Sequence, residues 1–541
     1  MRAAGPAALA LALLASPACA QDHPGHPEPA DHVLQPPAAA RSGASAEHAS
    51  HEDTLVPPTP TLLEGYGTGG FAITTAVPQA QAFFANGLEL GAAFAHSAAV
   101  AAMEEAVRLD PACAMCKWGQ ALVAGPTINF GKDRKERRPL YLLARQAQRQ
   151  ARQGGSERER ALTDALVERY RPGGPARRDA AYARAMQAVQ ARWPNDSEIA
   201  VLTADALMIA ALSAEAFDMA LLGRTIPLLE GVLARNPDHT PAIHFYIHAT
   251  EVIGEAGKAE RYADRLEALA PRASHLVHMP AHTWYWVGRY HDAAATNQRA
   301  VELGKANARR LGLPDPEGVW GLPYHSHNVI YGLGGALMAG DADIALDLAR
   351  PLVEVAGKRE QASPVAQLLA ASGYFALARF DPASVPALPE PRLPYLRAAW
   401  HYARGEAAAA AGDATGARAE MEAIPERIAE RAKGEAAQGP EQMLGITRNV
   451  LAGRLALLAG DPRAAAEAFR RAAAIEETPA FSQFTDPPAF WYPVRRDVAA
   501  ALLAAGDPAG AKAEAEASLR LRVKDPVAEA LLARIDAALG G

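Results

Sequence analysis

His244-Phe-Tyr-Ile-His-Ala-Thr-Glu251 and His275-Leu-Val-His-Met-Pro-Ala-His282 decide how this chain is read. His244 and His278 stand 34 residues apart, and so do His248 and His282. A period of 34 is that of a tetratricopeptide repeat, a pair of antiparallel helices that stacks on its neighbours. Residues at equivalent positions of successive repeats lie side by side, so the four histidines are expected to form a two-by-two patch. His244, His248 and Glu251 follow i, i+4, i+7; His275, His278 and His282 follow i, i+3, i+7. Both patterns keep to one face of a 3.6-residue helix. Nine of the 16 histidines fall between His239 and His327.

The same helix-pair phase recurs on both sides of this stretch. Upstream, Phe83, Gly87 and Leu90 fall on one helix and Ala99, Met103 and Ala106 on the next, with Gly87 and Ala99 marking a close approach. Downstream, GDADIALDLA (340–349), GDATGARAEM (412–421), GDPRAAAEAF (460–469) and GDPAGAKAEA (506–515) are related turn-helix strings. The periods are irregular, with an insertion near residues 312–324 and a proline-rich stretch at 380–394. The expected architecture is all-α, a tetratricopeptide-type α-solenoid of stacked antiparallel helix pairs. It divides into an N-terminal array over residues 76–380, carrying a histidine-lined groove, and a C-terminal array over 395–541.

Composition agrees. Of 541 residues, 50% are hydrophobic and only 6% aromatic, which suits closely packed alanine-rich helices. A net charge of −7 and the lack of a basic cluster argue against a nucleic-acid partner. Residues 1–20 read as a secretory signal: Arg2, a short apolar run over residues 7–15, and Ala18-Cys19-Ala20 as the cleavage pattern. Ser16-Pro17-Ala18 before Cys19 is a poor lipobox, which speaks against lipid anchoring. The mature chain is therefore expected to be exported to the periplasm, with no transmembrane segment. Residues 21–75 are rich in Pro, Ala and His and poor in large apolar residues, the composition of a disordered linker.

In repeats of this kind the first helix of each pair lines the concave face, so His244, His248, His275, His278 and His282 are expected to point into a groove. Glu251, Tyr285, Trp286 and His327 extend it as ligand-groove residues. Three readings fit. The imidazoles can satisfy one another as packed structural groups. They can hold Zn²⁺ or Cu²⁺, since His-x3-His on one helix and a neighbour on the next supply neutral nitrogen ligands; Glu251 would then orient a ligand or act as general base of a metal-dependent hydrolase. Or the groove takes a peptide or protein without metal. HExxH is absent, and no catalytic arrangement other than Glu251 can be read.

Asp110-Pro-Ala-Cys113-Ala-Met-Cys116-Lys117-Trp118 reads as a helix start capped by Asp110. Cys113 and Cys116 can form a local disulfide, exchange with a redox partner, or assist a metal; Lys117 after the pair excludes the haem-attachment pattern.

Residues 83–125, centred on DPACAMCKWGQAL, together with HFYIHATE (244–251) and HLVHMPAHTWYWVGRY (275–290), resemble a family of exported bacterial tetratricopeptide-repeat proteins over roughly residues 66–349. The resemblance implies an α-solenoid whose concave groove binds peptides or partner proteins. It carries no activity and does not name a ligand. The leading expectation is an exported binding or scaffolding protein; the alternative is a periplasmic metal-binding protein.

Overall fold

A computed structural model describes residues 60–214, 218–314, 316–428 and 438–540. The signal segment and the histidines His23, His26, His32, His48 and His51 lie outside the described residues. Those described form helices, with no named β-strand. No helix among them is long and apolar enough to cross a membrane.

The helices pair with their sequence neighbours. Short turns join packed partners and force them antiparallel: Pro78–Ala92 with His96–Leu109, Ala342–Lys358 with Pro364–Phe380, Pro394–Ala410 with Ala414–Ala423, Gln438–Leu458 with Pro462–Glu476, and Arg495–Ala504 with Pro508–Leu521. Gly-Asp strings make the turns of the last three pairs and the one that opens helix Ala342–Lys358. Gly340, Gly412, Gly460 and Gly506 all have φ between +75° and +81°, open to glycine without Cβ strain. The next residue is an aspartate that works twice. Its N–H returns to the ending helix, as from Asp341 to Ala336 O (2.9 Å) and Asp461 to Ala456 O (2.9 Å). Its carboxylate caps the following helix, Asp341 accepting from Ile344 N (3.0 Å) and Asp461 from Ala464 N (2.9 Å).

The chain divides into two compact units. One comprises the described residues of Ser45–Thr283 and Arg299–His325 and is called the histidine unit below; the other comprises those of Trp284–Gln298 and Ser326–Gly541. The proline-rich stretch at 380–394 lies inside the second unit. There it carries a 3₁₀ turn, Val385–Ala387, with Val385 fully buried, and the helices on either side of it pack together.

Residues 60–75 shorten the segment expected to be disordered. They are irregular, yet held at many points. Leu63 and Asn86 exchange two hydrogen bonds (2.9 and 2.8 Å). Thr68 N donates to Thr240 Oγ1 (2.7 Å), and Thr74 N and Oγ1 donate to Glu159 (2.6 and 2.7 Å). Phe71 packs edge-on against Phe84, with ring centroids 5.2 Å apart. Composition misses this because the backbone is satisfied by partners distant in sequence.

Candidate metal centre: five imidazoles inside the histidine unit

Helix Thr240–Val252 carries His244, His248 and Glu251 in line. His239 caps it, its Nδ1 accepting from Ala242 N (3.3 Å), and Gly254 ends it at φ +78°. The histidines that face it come from the short helix Ser274–His278, followed by Pro280, which cannot donate to the preceding turn; His282 comes two residues later.

The five histidines meet in one cluster. Their exposures are 0% for His244 and His278, 1% for His282 and 5% for His275, while His248 is half-buried. Four of the five are thus buried, where the spacing alone predicts a groove-facing row. The turn after Pro78–Ala92 and the segment leading to His325 bring Phe94 and Tyr324 against His244, His248 and His275. The pairing also differs from the two-by-two patch expected from the 34-residue period. His244 Nε2 faces His275 Nε2 at 3.0 Å, and His278 Nε2 faces His282 Nε2 at 2.8 Å. His248 stands between the two pairs, its ring centroid 5.0 Å from that of His244 and 5.4 Å from that of His282. His282 keeps its repeat neighbour His248, while His244 meets His275 in place of His278.

Oxygen atoms fix the tautomers of two rings. His244 Nδ1 lies 2.8 Å from Ala92 O, and a carbonyl can only accept, so Nδ1 carries the proton. Burial, reinforced by His282 and His96, holds the pKa of His244 down at about 3, so the ring is neutral and Nε2 keeps its lone pair. His282 Nδ1 is 2.7 Å from Glu251 Oε2, which gives the same orientation with a carboxylate behind it. An imidazole that donates Nδ1–H to a carbonyl or carboxylate and presents Nε2 inward is the usual arrangement of a metal-ligating histidine. One ligand nitrogen from each of His244, His248 and His275 lies within 4.8 Å of the other two. Nitrogens around a tetrahedral zinc, each about 2.0–2.1 Å from the ion, sit about 3.3 Å apart, so rotating the rings inward closes the difference.

Aromatic residues wall the cluster. Phe94 stacks on His275 (centroids 4.8 Å, 18°) and meets His244 edge-on (4.5 Å). Tyr324 packs on His275 at 4.3 Å, and its hydroxyl accepts from Asn129 Nδ2 (3.3 Å) and lies 3.3 Å from His96 Nε2. Burial and nearby Lys132 lower the pKa of His96 to about 4. Phe94 has φ +56°, the left-handed conformation the Gly-Asp turns give to glycine. A β-carbon there costs about 1–2 kcal/mol. That cost is met where the same turn also offers Ala92 O to His244, and strain of this kind collects at functional sites.

Sequence reasoning did not single out Phe94, His96 and Tyr324. The available signal was an aromatic at the repeat position occupied elsewhere by glycine, together with the insertion that delivers Tyr324. His239 belongs to the structure rather than the site: its Nε2 lies 3.1 Å from Glu198 Oε1 while Nδ1 caps the helix.

Tyr285, Trp286 and His327 belong to the second unit. Tyr285 is buried there, packed edge-on against Tyr290 (5.2 Å) and Tyr331 (6.0 Å). Trp286 lies under the Arg522 guanidinium at 5.0 Å, and the ring of His327 meets Tyr331 at 5.7 Å.

Cys113 and Cys116 have Cα atoms 5.4 Å apart, within the span of a disulfide. Cys113, and not Asp110, caps helix Ala114–Val123, its Sγ accepting from Cys116 N (3.0 Å). Asp110 instead accepts from Ala112 N (3.0 Å) within the turn. Both cysteines are buried in a core with Phe84, Met103 and Trp118.

No family model matches this sequence, and no similar curated protein is found. Among solved structures, the tetratricopeptide-repeat domain of P58(IPK) is 12% identical with a TM-score of 0.20, covering 85% of this chain and 98% of that one. Yeast Tom70 is 11% identical with a TM-score of 0.24, covering 81% and 92%. The hetero-tetramer Cut9-Hcn1 of APC/C is 13% identical with a TM-score of 0.23, covering 85% and 96%. Likenesses this distant say nothing of a ligand; the helix-pair fold rests on the chain's own turns and packing.

Proposed function

We propose that this chain is an exported helical-repeat protein that binds a first-row transition metal, zinc or copper, through the buried imidazoles of the histidine unit. The observation that carries the reading is the common orientation of His244 and His282, each with Nδ1 on an oxygen acceptor and Nε2 turned into the cluster. His248 and His275 each bring a ligand nitrogen within 4.8 Å of that of His244. Such donors suit Zn²⁺ or Cu²⁺ and disfavour Ca²⁺ and Mg²⁺, which take oxygen. Glu251 is a positioning residue for His282.

A peptide or protein partner belongs to this reading as a client of the outer helix surfaces, because a buried cluster has no room for a polypeptide. Export follows from residues 1–20, and the cysteine pair in an oxidising compartment forms a local disulfide. Elemental analysis of the full chain, beside a His244→Ala/His282→Ala variant that keeps its helical spectrum, tests the proposal. The expected difference is about one zinc or copper per chain. Equal metal content in the two proteins would leave the imidazoles as packed structural groups.

A further inference from the structure

Beside the histidine cluster, and wholly within the histidine unit, lies a cavity of about 90 Å³. Its inner wall is the face of His275 with Phe94 and Tyr324; Ala98, Leu311 and Leu322 line its flanks. No acidic side chain lines it, whereas the exposed guanidinium of Arg310 does. The hydroxyl of Tyr66, another wall residue, lies 3.5 Å from Asn307 Oδ1, and the charges of Arg310 and Arg272 both act on it. Neither arginine is in an ion pair among the described residues, in a chain whose surface arginines are otherwise widely paired with acids. Burial raises the Tyr66 hydroxyl and the two arginines oppose it, so this end of the cavity carries positive potential. His325, also in the wall, is pushed down to about 4 by burial and Lys305 and adds no charge at neutral pH.

A pocket with an apolar interior and unpaired arginine at one end selects an amphipathic anion. About 90 Å³ is three-fifths of the roughly 150 Å³ that admits benzene, so it has room for the short alkyl chain alone, with the carboxylate outside at the exposed Arg310. We propose that the cavity lined by Tyr66, Phe94, Ala98, Arg310, Leu322 and Tyr324 binds a short aliphatic monocarboxylate, the carboxylate on Arg310 and the alkyl chain against Ala98 and Leu322. This goes beyond metal binding and does not depend on it.

The probes are butyrate and its uncharged isostere butyramide, titrated by NMR or calorimetry into the full chain after chelation, so that metal content plays no part. Butyrate is expected to bind with Kd of about a millimolar, a typical efficiency for a ligand of this size, and butyramide at least about tenfold more weakly. Arg310→Gln should abolish the preference between the two. Ala98→Phe, which fills the cavity, should abolish binding, and Ala98→Val serves as the milder variant if the larger one unfolds. Equal binding of the two probes, or butyrate binding unchanged in a folded cavity-filling variant, would overturn the proposal.

Discussion

Glu251 Oε2 lies 2.7 Å from His282 Nδ1, and both groups are largely buried, the glutamate side chain being 11% exposed and the histidine 2%. The pair joins two helices that the sequence separates by 31 residues, and it decides which nitrogen of His282 faces the other imidazoles.

Removing the carboxylate charge while keeping an acceptor should therefore weaken metal binding without dismantling the fold. Glu251→Gln is expected to lower zinc affinity about tenfold, the lower end of what such supporting groups contribute. Competition against a chromophoric chelator measures it. An affinity unchanged in the variant would mean that His282 is not a ligand.

Acid should loosen the metal-free protein. His244 and His325 are buried, and their pKa values are lowered from 6.5 to about 3 and about 4. Between those values and 6.5 the unfolded chain holds protons that the folded chain does not. Their contribution to stability is thus complete above about pH 6.5 and drains away as pH falls towards 4 and then 3. The two groups together should reduce the unfolding free energy by about 4 kcal/mol between pH 7 and pH 5. Urea midpoints of the chelated protein at the two pH values check this; a flat profile would place both rings in water.

Gly335 in the second unit shows why alanine-rich repeats still need glycine. A β-carbon there would stand 2.8 Å from both Ala294 N and Tyr290 O, backbone atoms that cannot rotate away. Gly335→Ala should cost about 1–3 kcal/mol, as overpacking does, and more than Gly254→Ala costs through packing, where nothing lies within 4 Å. Because Gly254 has φ +78°, a backbone penalty of about 1 kcal/mol applies there instead. Thermal unfolding of the two variants, side by side, separates the two mechanisms.

The cysteines are expected to matter for stability and not for the metal. Alkylation of the exported protein without reductant should label neither Cys113 nor Cys116. Cys113→Ser/Cys116→Ser should lose about 1–2 kcal/mol, since the closed loop is very short. Its metal content should match the parent's, because both cysteines sit in the core around Phe84 and Trp118. Loss of metal in this variant would join the cysteines to the histidine site.

Much of the fold was legible in the sequence for a local reason. A Gly-Asp turn carries its instructions in adjacent residues: glycine permits the left-handed step, and aspartate caps the next helix. Helix faces follow from spacing alone, which is why the sequence by itself puts His244, His248 and Glu251 on one side of one helix and the cysteines at a helix start. Tertiary structure alone decided the rest. Which imidazoles pair, His244 with His275 and His278 with His282, is not stated by spacing. The rings packed on His244 and His275 are those of Phe94 and Tyr324, drawn in from 150 residues before His244 and 42 residues after His282. The tautomers of His244 and His282 depend on Ala92 O and Glu251, acceptors that a helical period cannot locate. Periodicity orders a side chain around its own helix axis; what lies across from it is set by long-range packing, and here that packing buries His244, His275, His278 and His282 together.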